Sequence, residues 1–364
     1  MLKVGIVGLP NVGKSTLFNA VLKKEQALSA NYPFATIEPN VGVVEVPDKR
    51  LDKLAELIQK ETGINPPKVY AAIEFVDIAG LIAGASKGEG LGNQFLANIR
   101  EVDMILQVVR DFSDPDIIRE HSKNPDIDTD VINSELIIKD LESLEKRIKS
   151  VGRKPSNLKE PEILNKYFEH LNNGGLAIDL RETLDPKDYK EIIKPLFLLT
   201  DKPIIYVFNI SETDERLKNP YNEQDQYKNK PVVFISAKIE SELSTLSPED
   251  QKVFMGDLGI SESGLDKIAQ VCFNKIGLIS YLTAGEKEVR AWEVLAGSNA
   301  AVSAGRIHTD FEKNFIKAEV IAYNDYIECE TRQKARDKGK LRLEGKEYIV
   351  KDGDVIEFRI GATK

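Results

Sequence analysis

Gly8-Leu9-Pro10-Asn11-Val12-Gly13-Lys14-Ser15 sets two glycines, a lysine and a hydroxyl at the spacing of a phosphate-binding loop, G-x-x-x-x-G-K-[ST]. Gly8 and Gly13 allow backbone N–H groups to turn toward an anion with no Cβ in the way. Lys14 has the reach and charge for β- and γ-phosphates, and the Ser15 hydroxyl suits Mg²⁺. Asn11, Val12, Gly13, Lys14, Ser15 and Thr16 are therefore the expected phosphate cradle. The flanks agree: a β-rich run, Leu2 to Val7, feeds the loop, and a helix-like run, Thr16 to Leu22, leaves it. A helix starting there adds unpaired N–H groups and a positive dipole end at the same point.

Further polar groups follow other apolar runs. Asp77-Ile78-Ala79-Gly80 comes directly after Ala72 to Val76. Asp77 there would hold Mg²⁺ through a water, with the Gly80 amide beside the γ-phosphate. Thr36, within Asn31 to Asn40, lies where a switch threonine completes the metal's shell. Gly84 to Gly92 carries too many glycines to pack a core and suits a segment that orders around a γ-phosphate. Asn209-Ile210-Ser211-Glu212 and Ser236-Ala237-Lys238 follow two later runs and stand where base-reading loops stand, which gives Asn209, Ile210, Glu212, Ser236 and Ala237 as the expected base contacts.

The elements that must position these groups are legible as strand-like runs with helices between them: Leu2–Val7, Gly42–Val46, Ala72–Val76, Met104–Val109, Ile204–Asn209 and Val232–Ile235. Such alternation predicts an α/β fold with a doubly wound, mostly parallel sheet and a ligand at the carboxyl ends of its strands. From about Pro115 to Leu199 the rhythm breaks. Ile132, Leu136, Leu141, Leu144 and Ile148 recur at helical spacing, and Glu142–Lys146 and Glu145–Lys149 are i,i+4 pairs, so a helical hairpin or small coiled coil is expected. After Ser280, strand-like runs at Val289–Leu295 and Ile316–Ala322 precede an expected hairpin of Glu347–Val350 with Val355–Phe358, a small α+β module. The expected division is 1–125 with 196–279 for the nucleotide, 126–195 for the helical insert and 280–364 for the last module.

The 364 residues carry 50 Lys and Arg against 59 Asp and Glu, a net charge of −9. That balance argues against a simple basic nucleic-acid binder. Two runs are nonetheless basic, Lys146 to Lys154 and Arg332 to Lys346, and each reads equally as a solvated face or an RNA contact. No stretch resembles a span of about 18 apolar residues. Met1 leads straight into the first strand, so a cleaved leader would remove the phosphate loop, and a cytoplasmic location is expected. Cys272 and Cys329 lack C-x-x-C partners, and His121, His170 and His308 are scattered, so neither a disulfide framework nor a zinc site is expected.

Taken together, the five motifs resemble those of the Obg-related translation-factor GTPases, and within that class the YchF / Obg-like ATPase family. Asn31-Tyr32-Pro33-Phe34, Asp77 to Leu81, Gly84 to Asn93, Arg290-Ala291-Trp292 and Ile307 to Lys313 are similar to that family's pattern. The resemblance covers essentially the whole chain and is weakest at about 112–190. It implies a P-loop G domain with a helical insert and a C-terminal TGS module of ubiquitin-like β-grasp fold. It also implies binding and slow hydrolysis of ATP in preference to GTP, and the ribosome, especially its large subunit and its rRNA, as partner, with no DNA sequence specificity. Guanine-specific members use Asn-Lys-x-Asp, whose aspartate accepts two hydrogen bonds from guanine. Here the lysine position is Ile210 and the acid is the longer Glu212, so guanine discrimination should weaken, leaving Asn209 and the backbone of Ile210 to read adenine. Leu81 stands where many such enzymes have a water-orienting glutamine. The resemblance implies a histidine later in the chain for that task; Arg119 aligns best, with His121 two residues on, and Lys14 and Gly80 complete the expected catalytic set. Asn11 resembles the asparagine through which related enzymes hold K⁺. Two alternatives stay open: a guanine-specific translational GTPase, and a nucleotide-regulated RNA- or ribosome-binding module with negligible turnover.

Overall fold

The computed structural model describes residues 2–28, 40–78, 91–114, 124–151, 159–221 and 226–361. The chain forms two compact units, Met1–Val43 with Glu74–Ile268, and Val44–Ile73 with Ala269–Lys364. Among the described residues no helix is long and apolar enough to cross a membrane.

The first unit is built on a seven-stranded sheet. In chain order its strands are β1 (Leu2–Gly8), β2 (Val41–Val46), β4 (Ala71–Asp77), β5 (Met104–Asp111), β6 (Ile204–Ile210), β7 (Gln226–Tyr227) and β8 (Lys230–Ile235); β3 (Lys68–Val69) belongs to the other sheet. Their spatial order is β2-β4-β1-β5-β6-β8-β7, and the β1–β5, β5–β6 and β6–β8 pairs run parallel. Val4, Ile6 and Val7 of β1 and every residue of β6 are buried, the continuous apolar reading of strands covered on both faces. Helix α1 (Lys14–Leu28) follows β1, while the chain reaches β5 only after crossing to the far side of β1. That reversal leaves a crevice at the carboxyl ends of β1, β5, β6 and β8.

The break in the rhythm is helical as expected. With α2 (Lys49–Thr62) and α3 (Leu91–Glu101) earlier in the chain, the insert begins at α4 (Pro125–Val151), which packs against α5 (Glu160–Asn172). Ile132, Leu136 and Leu144 are buried on α4, and Arg147 pairs with the fully buried Glu160. Two devices anchor α4 to the strand that ends in Asn209. Asp140 accepts from the Leu199 and Thr200 amides at 2.7 and 2.8 Å and from the Thr200 hydroxyl at 2.6 Å, just ahead of β6. On β7, the Tyr227 ring meets Tyr206 and Phe208 edge-on, at 5.0 and 5.1 Å, while its hydroxyl donates to Asp126 and lies 2.9 Å from Thr129 Oγ1.

The second unit carries a six-stranded sheet of order β12-β11-β13-β9-β10-β3, with β9 (Leu278–Ala284), β10 (Val289–Leu295), β11 (Phe315–Ala322), β12 (Arg342–Glu344) and β13 (Asp354–Ile360). β13 runs parallel to β9 and antiparallel to β11. Tyr281, Val294, Ala318, Val320, Val350 and Ile356 form its core. The Arg290 guanidinium lies 3.8 Å from the centre of the Trp292 ring, which stacks on Tyr281. Helix α2 joins this unit: Leu51, Leu54, Leu57 and Ile58 are buried on it, it packs on β9 and β10, and the adjoining Arg50 bonds Asp352 at 2.7 Å. Residues 49–69, within the stretch expected to bind the nucleotide, thus pack with the C-terminal module. The expected hairpin at 347–358 also differs. Only Ile349 makes a bridge, to Asn299, because the backbone of this stretch is engaged elsewhere: Tyr348 O accepts from Ala300 N at 2.8 Å and Val350 N donates to Ser298 O at 3.0 Å. β13 takes its partners from β11 and β9 instead.

Candidate nucleotide site

Four segments at the crevice line one cavity of about 930 Å³: residues 8–11 and 13–16 at the end of β1, 112–114 after β5, 209–212 at the end of β6 and 236–238 after β8. In the first loop Asn11 and Gly13 have φ of 62° and 94°, a left-handed turn that points successive amides to one side. The first turn of α1 closes through Leu17 N to Gly13 O at 3.0 Å. Lys14 donates to Asp77 Oδ1 across the base of the site, and Ser15 and Thr16 line the cavity.

Asn209 is 5% exposed and links three of the loops. Its Nδ2 donates to Val12 O at 2.9 Å, and its Oδ1 accepts from Ala237 N at 2.9 Å. A Cβ on Gly13 would lie 2.2 Å from that Nδ2, so both the turn and this close approach require glycine. Ile210 is 2% exposed and offers a ligand little beyond its backbone. Ser236 caps α6 (Ala237–Leu243), its hydroxyl accepting from Ile239 N at 3.5 Å. Glu212 and Lys238 form an ion pair at 2.6 Å across the cavity's outer rim.

The 112–114 loop was not anticipated. Arg110, next to last in β5, follows six buried residues and is itself 4% exposed. Its guanidinium donates to Phe112 O at 3.4 Å and Asp114 O at 3.2 Å and lies 4.6 Å from the centre of the Phe112 ring. An arginine closing an otherwise apolar run was the available signal. Glu240 is a second unanticipated group: buried on α6, it accepts from Gly264 N at 2.7 Å and Leu265 N at 3.2 Å, and so caps α8, which starts at Gly264 after α7 (Pro248–Leu258). Burial pushes its carboxyl up to about 7, against the pull of those two amides.

Thr36, Gly80, Leu81, Arg119, His121 and the run from Gly84 to Gly90 lie outside the described residues. Among the described residues no group of three or more His, Cys, Asp or Glu side chains forms a metal cluster. The basic run from Arg332 to Lys346 is largely paired at home. Arg332 reaches Glu319 and Glu357 at 2.5 and 2.9 Å, Lys334 reaches Glu330 at 2.8 Å, Lys340 reaches Asp325 at 3.0 Å and Arg342 reaches Glu344 at 3.3 Å. Hydrogen bonds from Arg332 and Arg359 hold the Glu319 carboxyl down at about 2.

A family model described as 50S ribosome-binding GTPase matches residues 3–164, and another, YchF-GTPase_C, described as a protein of unknown function, matches 278–361. The chain is 48% identical to the ribosome-binding ATPase YchF of Bacillus subtilis (strain 168), over 98% of this chain and 99% of that one. It is 46% identical to the protein of the same name from Escherichia coli O157:H7, over 98% of each. The solved structure of the Schizosaccharomyces pombe YchF GTPase superposes with a TM-score of 0.83 at 37% identity, over 98% of this chain and 97% of its own.

Proposed function

Because the chain belongs to the YchF family, we propose that it is a ribosome-associated P-loop NTPase that binds ATP in preference to GTP and hydrolyses it slowly as a nucleotide-dependent switch. The observation that carries this reading is the single cavity on which the phosphate loop and both base-reading loops open. Residues 11–16 are the proposed phosphate cradle, and Lys14 and Gly80 the proposed groups that stabilise charge developing on the transferring phosphoryl group. Asn209, Ile210, Glu212, Ser236 and Ala237 surround the base.

The donor set fits Mg²⁺. Ser15 supplies a hydroxyl, and Asp77 a carboxylate bonded to Lys14 at the same site, both hard oxygen ligands of the kind that leave the ion its waters. Asp77 would hold the ion through a water, and Thr36 is the proposed further ligand. An ion held there would supply charge neutralisation for the β- and γ-phosphates. Asn11 is the proposed K⁺ ligand and His121 the group that orients water. The functional division is 1–125, apart from residues 49–69, with 196–279 for the nucleotide, 126–195 for the insert and 280–364 for a TGS module. The ribosome, through its large subunit, is the partner, and the cytoplasm the location.

The test is competition of labelled ADP and GDP by ATP and GTP in K⁺ and Mg²⁺. Adenine nucleotides are expected to bind tighter; guanine nucleotides binding at least about tenfold tighter, a difference of about 1.4 kcal/mol, would overturn the reading. Equal turnover in Na⁺ and K⁺ would remove the role of Asn11.

A further inference from the structure

We propose that Lys238 is a base-specificity residue, which engages Glu212 Oε1 and so competes with guanine for the second carboxylate oxygen that guanine needs. The inference rests on the nucleotide reading above and extends it to a side chain outside the base-contact set.

The geometry is fixed from both sides. Glu212 sits in a turn closed by Asp214 N to Ser211 O at 3.1 Å, and Arg216 braces that turn by bonding Asp214 and, at 2.9 Å, Asp111 at the end of β5. Lys238 is the second residue of α6, whose start is held by the Ser236 cap and by Ala237 N on Asn209. Two backbones tied to the same loop system thus bring Lys238 Nζ to 2.6 Å from Glu212 Oε1, and both residues line the cavity. The acids facing this ammonium are Glu212 and, by charge alone, Glu242 and Asp114, which all favour its charged form.

Guanine presents a ring N–H and an exocyclic amine side by side, and a carboxylate recognises them by accepting on both oxygens. With one lone pair of Oε1 taken by Lys238 and the carboxylate turned toward the ammonium, that bidentate contact competes with the ion pair. Adenine presents no such donor pair and loses nothing. The pair is exposed, with Glu212 and Lys238 side chains 41% and 68% accessible, so its effect on base choice is modest: about two- to fivefold, the range of an exposed ion pair.

The experiment is titration of ADP and of GDP with Mg²⁺ into the full chain as wild type, Lys238→Ala, Lys238→Gln, Lys238→Arg, Glu212→Ala and the Lys238→Ala/Glu212→Ala double variant. The GDP-to-ADP affinity ratio is expected to rise about two- to fivefold in Lys238→Ala and Lys238→Gln, to stay at the wild-type value in Lys238→Arg, and not to respond to Lys238→Ala once Glu212 is Ala. An unchanged ratio in both neutral variants, or the same rise without Glu212, overturns the proposal. The wild-type ratio alone judges the adenine reading, so the two fail separately.

Discussion

Asn209 donates to Val12 O and accepts from Ala237 N, both at 2.9 Å, and is itself buried. Asn209→Asp keeps its shape but turns an acceptor toward the Val12 carbonyl, leaving that carbonyl unpaired beside a carboxylate. A buried polar group left without a partner costs about 1–3 kcal/mol, and more where a charge is involved. ADP affinity is therefore expected to fall at least about tenfold, together with the melting temperature. Calorimetric titration and thermal unfolding check this, and an affinity within twofold of wild type would mean the tie is dispensable. The phosphate cradle was legible in the sequence because backbone anion binding demands glycine at fixed spacing. The tie was not, since its partners come from three distant stretches of chain. Nor was Phe112, which reads as ordinary loop until Arg110 is seen beneath it. Phe112→Ala is expected to weaken ADP and GDP alike, by removing one aromatic face of the cavity, as the same titrations would show.

At the scale of elements, two buried carboxylates hold segments in place, and both are pushed up by burial: Glu240 to about 7 and Asp140 to about 6. A carboxyl raised in the folded state binds its proton there before it does in the unfolded chain. Its contribution to stability is thus full below the unfolded value, near 4.5 for Glu240, and is lost as pH rises through about 7. The stability of the wild type relative to Glu240→Gln is expected to be greater at pH 5 than at pH 8, by on the order of 2 kcal/mol. Denaturant unfolding of both proteins at the two pH values measures it; a pH-independent difference would remove the titration from the account. The strands and the insert's helices were readable from periodicity. Residues 347–350 were misread because their apolar pattern suits a strand, whereas their carbonyls and amides serve the start of α9 (Ala300–Ile307), a long-range competition that periodicity does not record.

Across the whole molecule, 59 acids outnumber 50 bases, and most cations of the run from Arg332 to Lys346, with Arg147 and Lys149 of the earlier run, meet counter-charges within the fold. The run from Arg332 to Lys346 does not behave as an array of free cations, so phosphate contacts from it are few. Ribosome association, measured by co-sedimentation, is expected to weaken by less than about tenfold between 50 and 200 mM salt, against at least a thousandfold for a protein making six or more phosphate contacts. A steep loss would restore these runs as an RNA-binding face.

Gly13 and Asn209 together limit what this chain can become. Any side chain at position 13 collides with the amide at position 209, and any smaller residue at 209 leaves the turn around Gly13 without its brace. Neither position can drift alone, so single-step variation is closed at both. A library that randomises the two positions at once, screened for nucleotide binding, should return glycine at 13 almost without exception, because its φ of 94° strains any other residue whatever stands at 209.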